Sequence, residues 1–147
     1  MRGYAAIGLY QPKYSVNIGS VLRACACYGV SLLAYTGCRF ERSKAPTDTS
    51  KWYRHMPMQH VDDLFNVIPY DCIPVAVEIR EDAISLFDYK HPPRAFYVFG
   101  PEDGTLGHQV TRWCKDTVYV PTSYCMNLAA TVNVVLYDRM SKGVRNA

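Results

Sequence analysis

The stretch from Gly3 to Tyr35, GYAAIGLYQPKYSVNIGSVLRACACYGVSLLAY, decides the fold class. Gly3 to Tyr10 is apolar and of strand length, and Gln11 and Pro12 close it. From Asn17 to Tyr28 the period changes: Ile18, Val21, Leu22 and Cys25 fall at i, i+3, i+4 and i+7, the stripe of an amphipathic helix. Gly29 is placed to end that helix, and Val30 to Tyr35 reads as a second short strand. Strand, helix and strand in succession form the repeating unit of a parallel sheet.

Downstream the alternation continues. Gly37 to Lys51 is polar and basic, contains Pro46 and has no periodicity, so it is a loop; Trp52 to Pro57 is too short to assign. Val61 to Val67 predicts a brief helix, Ile73 to Ile79 a buried strand, and Ala95 to Phe99 another that ends at Gly100 and Pro101. Val118 to Val120 is a short strand stopped by Pro121. Met126 to Met140 then places Leu128, Val132, Val135 and Leu136 on one helical face, with Asp138 and Arg139 read as turned outward. The expectation is a single α/β domain over residues 1–147, a mostly parallel sheet with flanking helices and no repeat or linker.

The 147 residues suit one domain, and 49% hydrophobic with 20% charged residues is globular composition. A net charge of +3 is too mild to require a nucleic-acid partner and compatible with one. Twelve tyrosines serve either stacking or plain packing. No apolar run approaches the roughly 20 residues of a membrane span, and the N-terminus has no secretory pattern. Six cysteines (Cys25, Cys27, Cys38, Cys72, Cys114, Cys125) include no C-x-x-C pair, and four lie in apolar segments. They read as reduced, mostly buried thiols of a cytoplasmic protein.

Ligands of parallel α/β sheets bind beyond the C-terminal strand ends, which directs attention to three loops. In Asn17-Ile18-Gly19-Ser20-Val21-Leu22-Arg23, Gly19 permits close backbone approach and a helix start attracts anions; a cap with a surface arginine is the plainer reading. Phe99 to Gly107 sets Glu102 and Asp103 among Gly100, Gly104 and Gly107, a turn able to wrap a ligand but without dinucleotide or P-loop spacing. Val120 to Leu128 places a polar knot before the last helix, with Ser123 or Thr122 as the expected cap and Asn127 unexplained by capping alone. The histidines show no metal-ligand spacing, and no local signature supports Cys125 as a nucleophile. The basic and aromatic stretch from Arg39 to His55 suits phosphate contact with base stacking, or equally a solvated loop.

In this order the three loops resemble the signature motifs of the SpoU/TrmH-type SPOUT RNA 2′-O-methyltransferases. Asn17, Gly19 and Arg23 match N-x-G-x-x-x-R; Gly100 and Glu102 match an apolar strand ending in G-x-E; Val120, Pro121, Met126 and Asn127 match a strand, a proline and S-[LM]-N opening the last helix. The flanks Leu9-Tyr10-Gln11-Pro12 and Arg23-Ala24-Cys25-Ala26 look most like the small tRNA ribose methyltransferases of the wobble nucleotide. Two positions depart: Cys125 stands where the motif has serine, and Thr105 where a glycine is usual.

The resemblance implies a C-terminal deep trefoil knot, which general topology rules would not suggest. It implies S-adenosylmethionine bound in the knot (S-adenosylhomocysteine as product, no metal) and a homodimer with the active site at its interface. Backbone near Val77, Gly100, Val120, Cys125 and Met126 is expected to hold the cofactor. Arg23 is the expected catalytic residue, with Asn17 and Asn127 orienting ribose and arginine and Glu102 shaping the loop or pairing with Arg23. Arginine is a poor base while charged, so Arg23 is read as holding a phosphate or developing oxyanion. RNA, most simply a tRNA anticodon loop, is the expected partner, gripped by Arg39 to His55 and by Lys142 and Arg145. Ribosomal RNA as substrate, or a non-catalytic RNA-binding role, stays open at this point.

Overall fold

The structure, a computed structural model, describes residues 2–37 and 56–146. Eight strands form one sheet: β1 (Arg2–Leu9), β2 (Leu32–Tyr35), β3 (Met58–His60), β4 (Ile73–Val77), β5 (Ile84–Ser85), β6 (Arg94–Phe99), β7 (Asp116–Tyr119) and β8 (Arg145–Asn146). The strand order is β3-β2-β1-β6-β4-β7-β5, with β8 pairing the start of β1, and every pairing is parallel. Helices α1 (Ser15–Tyr28), α2 (His108–Thr111) and α3 (Leu128–Ser141) complete the frame, with short 3-10 turns at Leu64–Val67 and Leu86–Asp88. The last two long strands are inserted among earlier ones, β6 between β1 and β4 and β7 between β4 and β5.

Both sheet faces are covered, as a parallel sheet requires. The period of two sends Ala5, Ile7 and Leu9 of β1 and Ala95, Tyr97 and Phe99 of β6 to one face. There they meet Ile18, Val21, Leu22 and Cys25 of α1 and Val132, Val135 and Leu136 of α3, while α1 and α3 also pack on each other. Ala6, Ala76, Phe96 and Val98 point to the opposite face, against Leu64, Leu106 and Val110. Each large aliphatic side chain buried this way contributes about 1.5–3 kcal/mol. The helical stripe read from the sequence is therefore the inward face of α1. That helix starts at Ser15, two residues before the predicted boundary, and ends at Gly29, whose φ of 67° lies in the left-handed region that glycine tolerates without strain.

The last helix corrects the sequence reading. Asp138 and Arg139 turn inward, and Arg139 has no exposed surface. All five guanidinium N–H groups find acceptors: Nε donates to Asn146 Oδ1, Nη1 to Pro92 O and Tyr97 Oη, Nη2 to Tyr4 O and Pro93 O, at 2.6–3.2 Å. Gly3 makes room, because a Cβ there would fall 2.4 Å from Pro93 O and 2.7 Å from Arg139 Nη2. His91 joins the network between Tyr97 Oη (2.7 Å) and Asp138 Oδ2 (2.6 Å). Burial lowers its imidazole pKa despite the opposing pull of Asp138. Lys142, expected to grip RNA, instead donates to Asp138 at 2.9 Å and to the carbonyls of Leu86 and Tyr89, whereas Arg145 is exposed on β8. The network fastens the end of α3 and β8 at the N-terminal ends of β1 and β6.

Other expectations shift locally. β3, β5, β8 and α2 are too short to carry a sequence period. Cys25 and Cys72 are buried and Cys114 partly so, but Cys27 and Cys125 are exposed, so the reading of mostly buried thiols holds only in part. Burial pushes the Cys114 thiol up to about 12. Cys38 and the stretch from Arg39 to His55 lie outside the described residues. Among the described residues no helix is long and apolar enough to cross a membrane.

Candidate functional site

Strands β6, β4 and β7 are neighbours, and their C-terminal ends open into a cavity of about 500 Å³. Val77 closes β4, Gly100 follows β6, and Val120 follows β7; Cys125 and Met126 reach the same space from the segment before α3. Asn17 enters from α1, Glu102 from the loop after β6, and Asn127 from the head of α3. The five residues expected at a cofactor and three of the four expected to be catalytic thus line one cavity. Arg23 does not line it; it lies exposed on α1.

Glu102 explains how the first two loops meet. Its Oε1 accepts from the Lys13 backbone N–H at 2.9 Å, and its Oε2 from the Tyr14 backbone N–H at 3.0 Å and from Asn17 Nδ2 at 2.9 Å. Beside it Lys13 pairs with Asp103 at 3.6 Å. The anion expected at the start of α1 is therefore the chain's own carboxylate, where the helix dipole favours it. Gly19 lies buried inside the helix and offers no anion contact. Burial alone would raise the Glu102 pKa; hydrogen bonds from Asn17 and from the Lys13 and Tyr14 backbone outweigh it and hold the carboxyl below its ordinary 4.5.

Because the folded pKa is depressed, the stabilisation from Glu102 is complete above pH 4.5 and is lost as pH falls through the lower native value. Glu102→Gln is expected to cost about 1–2 kcal/mol at neutral pH, the range of a lost helix cap. Urea denaturation of both proteins at pH 7 and well below pH 4.5 checks this: the gap narrows in acid, and a gap equal at both pH values refutes the assignment.

Asn127 is the cap of α3, correcting the expectation of Ser123 or Thr122: its Oδ1 accepts from Ala130 N–H at 2.7 Å. The Thr122 hydroxyl donates to Tyr124 O at 2.8 Å and so shapes the preceding turn. With the carbonyl oxygen of the Asn127 amide engaged as the cap, the donor of this cavity-lining side chain is its nitrogen.

Among the further lining residues that the sequence did not single out, two carry polar groups at the ends of elements. Tyr14 stands at the α1 cap position. Glu78 was read as interior to a strand ending at Ile79, but β4 stops at Val77 and releases the carboxylate to the cavity wall. Its Oε2 accepts from Leu106 N–H at 2.8 Å and its Oε1 from Ile79 N–H at 3.2 Å, which ties the β4 and β6 loops together. Among the described residues the lining carries these two glutamates and no lysine, arginine or histidine.

Residues 4–137, which hold the whole of this site, match the SpoU rRNA Methylase family. This chain belongs to the SpoU rRNA Methylase family. The tRNA (cytidine-2′-O-)-methyltransferase TrmJ of Methanocaldococcus jannaschii is 28% identical to it over an aligned length of 159 residues, covering 94% of this chain and 68% of TrmJ. The SpoU methyltransferase AviRb from Streptomyces viridochromogenes, in complex with AdoMet, has a TM-score of 0.81 at 18% identity, over 97% of this chain and 61% of AviRb. A structure described as giving insight into the 2-OH methylation of C/U34 on tRNA also has a TM-score of 0.81, at 24% identity, over 95% of this chain and 96% of that one. At these identities the structural likeness is one of fold, and this SpoU-family chain spans about three-fifths of AviRb.

Proposed function

We propose that this chain is an S-adenosylmethionine-dependent RNA 2′-O-ribose methyltransferase acting on tRNA, at the wobble nucleotide of the anticodon loop. The observation that carries the reading is the single cavity lined by Asn17, Glu102 and Asn127 together with Val77, Gly100, Val120, Cys125 and Met126. Family membership supports the methylase class, and the names of TrmJ and of the C/U34 structure support tRNA and the ribose hydroxyl.

The cavity fits the cofactor. About 500 Å³ lies within the range of small-molecule sites, and a lining with two glutamates and, among the described residues, no lysine, arginine or histidine suits a cation. When bound, S-adenosylmethionine supplies a methyl group activated on a positively charged sulfur. Val77, Gly100, Val120, Cys125 and Met126 would hold it. A ribose 2′-hydroxyl is a very weak acid, so orientation must supply much of the rate. Asn17, its amide nitrogen fixed by Glu102, and Asn127, fixed as a cap, are held well enough to orient a ribose. Arg23 holds a phosphate or the developing oxyanion.

The homodimer belongs to the same reading. Arg23 is six residues beyond Asn17, about 240° around α1, so the two occupy different faces. Arg23 shares its exposed face with Val16 and Cys27, and Tyr137 and Met140 are exposed on α3, which packs beside α1. Such a surface suits a second copy whose cavity Arg23 would complete. Insertion of β6 and β7 between earlier strands supports the deep trefoil knot, and a cytoplasmic location belongs to the same proposal. The family description favours ribosomal RNA as the second reading. Transfer from labelled S-adenosylmethionine to unmodified tRNA and, separately, to ribosomal RNA decides between them. Label in tRNA alone is expected; label confined to ribosomal RNA selects the second reading, and label in neither refutes both.

A further inference from the structure

The two carboxylates of the cavity are electrostatically unequal. Glu102 is met by three N–H donors at the head of α1, where partial positive charge is concentrated. Glu78 accepts two backbone N–H bonds, from Ile79 and Leu106, which fix its orientation without supplying a cation. It stands at the mouth of β4 beside Val77, with no lysine, arginine or histidine among the lining residues described.

We infer that Glu78 makes the cavity charge-selective, favouring cationic S-adenosylmethionine over its neutral product. The inference rests on the proposed function. The cofactor carries a sulfonium and an ammonium against one carboxylate, a net charge of +1. In the transfer the methyl–sulfur bond breaks with its electron pair left on sulfur, the methyl carbon bonds to the ribose 2′-oxygen, and the hydroxyl proton passes to solvent. The sulfur is then a neutral thioether, and S-adenosylhomocysteine has no net charge. A ligand the Glu78 carboxylate attracts becomes one it does not, so turnover itself weakens retention of the product. For a partly exposed carboxylate lining the same cavity as the ligand, the preference is about fivefold and is screened by salt.

Calorimetric titration of the full chain with S-adenosylmethionine and with S-adenosylhomocysteine tests this. Glu78→Gln keeps the shape of the side chain and an oxygen to accept the Leu106 N–H; it removes the charge and gives up the longer bond from the local Ile79 N–H. The ratio of the two dissociation constants is expected to fall about fivefold, through weaker S-adenosylmethionine binding, with S-adenosylhomocysteine affinity within about twofold of wild type. A salt titration of the wild-type chain, which needs no variant, is expected to compress the same ratio. Equal loss of both ligands in Glu78→Gln, or a ratio unmoved by variant and salt, overturns the role of Glu78 and leaves the proposed function standing. Failure of the wild-type chain to bind either ligand overturns both.

Discussion

Replacing Arg23 with alanine is expected to lower methyl transfer by about 10³-fold or more, while S-adenosylmethionine affinity stays within about twofold of wild type. The split follows from position. The cavity is lined without Arg23, so the cofactor does not depend on it, whereas a developing oxyanion or an RNA phosphate does. Because Arg23 lies on a different face of α1 from Asn17, it is expected to serve the cavity of a second copy. Asn127→Asp supplies the complementary lesion: aspartate still caps α3, but the amide donor is gone. Neither variant alone transfers methyl groups. In a random mixture half the dimers are mixed, and each holds one intact cavity facing one intact Arg23, so about a quarter of wild-type activity returns. No recovery in the mixture places Arg23 at its own chain's cavity, and equal loss of turnover and cofactor affinity in Arg23→Ala refutes its role.

Replacing Arg139 with methionine is expected to cost about 3–5 kcal/mol, against a total of about 5–15 kcal/mol for a domain of this kind. The substitution removes all five guanidinium donors from the Pro92, Pro93 and Tyr4 carbonyls, the Tyr97 hydroxyl and Asn146 Oδ1 at the end of α3; Tyr97 keeps His91 and Pro93 O keeps the Tyr4 N–H. Lysine does not rescue it, since one ammonium with three donors cannot serve five acceptors. Thermal melting reads the effect as a drop on the order of 10 °C for both variants. A change under about 2 °C contradicts the assignment of this network as the fastening of α3 and β8.

Arg139 also shows why some of the fold was legible in the sequence and some was not. Positions 132, 135, 136 and 139 share one helical stripe, so periodicity places Arg139 inside; its charge argued for the outside, and the acceptor carbonyls of distant Pro92, Pro93 and Tyr4 were not visible along the chain. Asp138 and Lys142 were misread for the same reason. The long alternations that make β1, α1, β6 and α3 need no distant partner to be recognised, and they hold. The two-residue strands β5 and β8 exist only through pairing with β7 and β1, which no local pattern encodes.

The loops after the strands, singled out from the sequence, meet at one cavity because strand direction alone puts their ends together. What each side chain does there depends on contacts far apart in sequence. Glu102, expected to shape its loop or pair with Arg23, reaches Lys13, Tyr14 and Asn17 across more than 80 residues and so braces the start of α1. Glu78 surfaced only when β4 ended two residues before its predicted end. Asn127 was singled out as more than a cap, and its side-chain carbonyl proves to be the cap of a residue that also lines the cavity.

The central claim is that the methyl group is placed on a ribose 2′-oxygen of tRNA, and nucleoside mass spectrometry of tRNA treated with the chain and labelled S-adenosylmethionine measures it directly. The expected result is a label on a 2′-O-methylated nucleoside from the wobble position, absent when Arg23→Ala replaces the wild type. A label on a base, or on ribose that persists undiminished with Arg23→Ala, would contradict it.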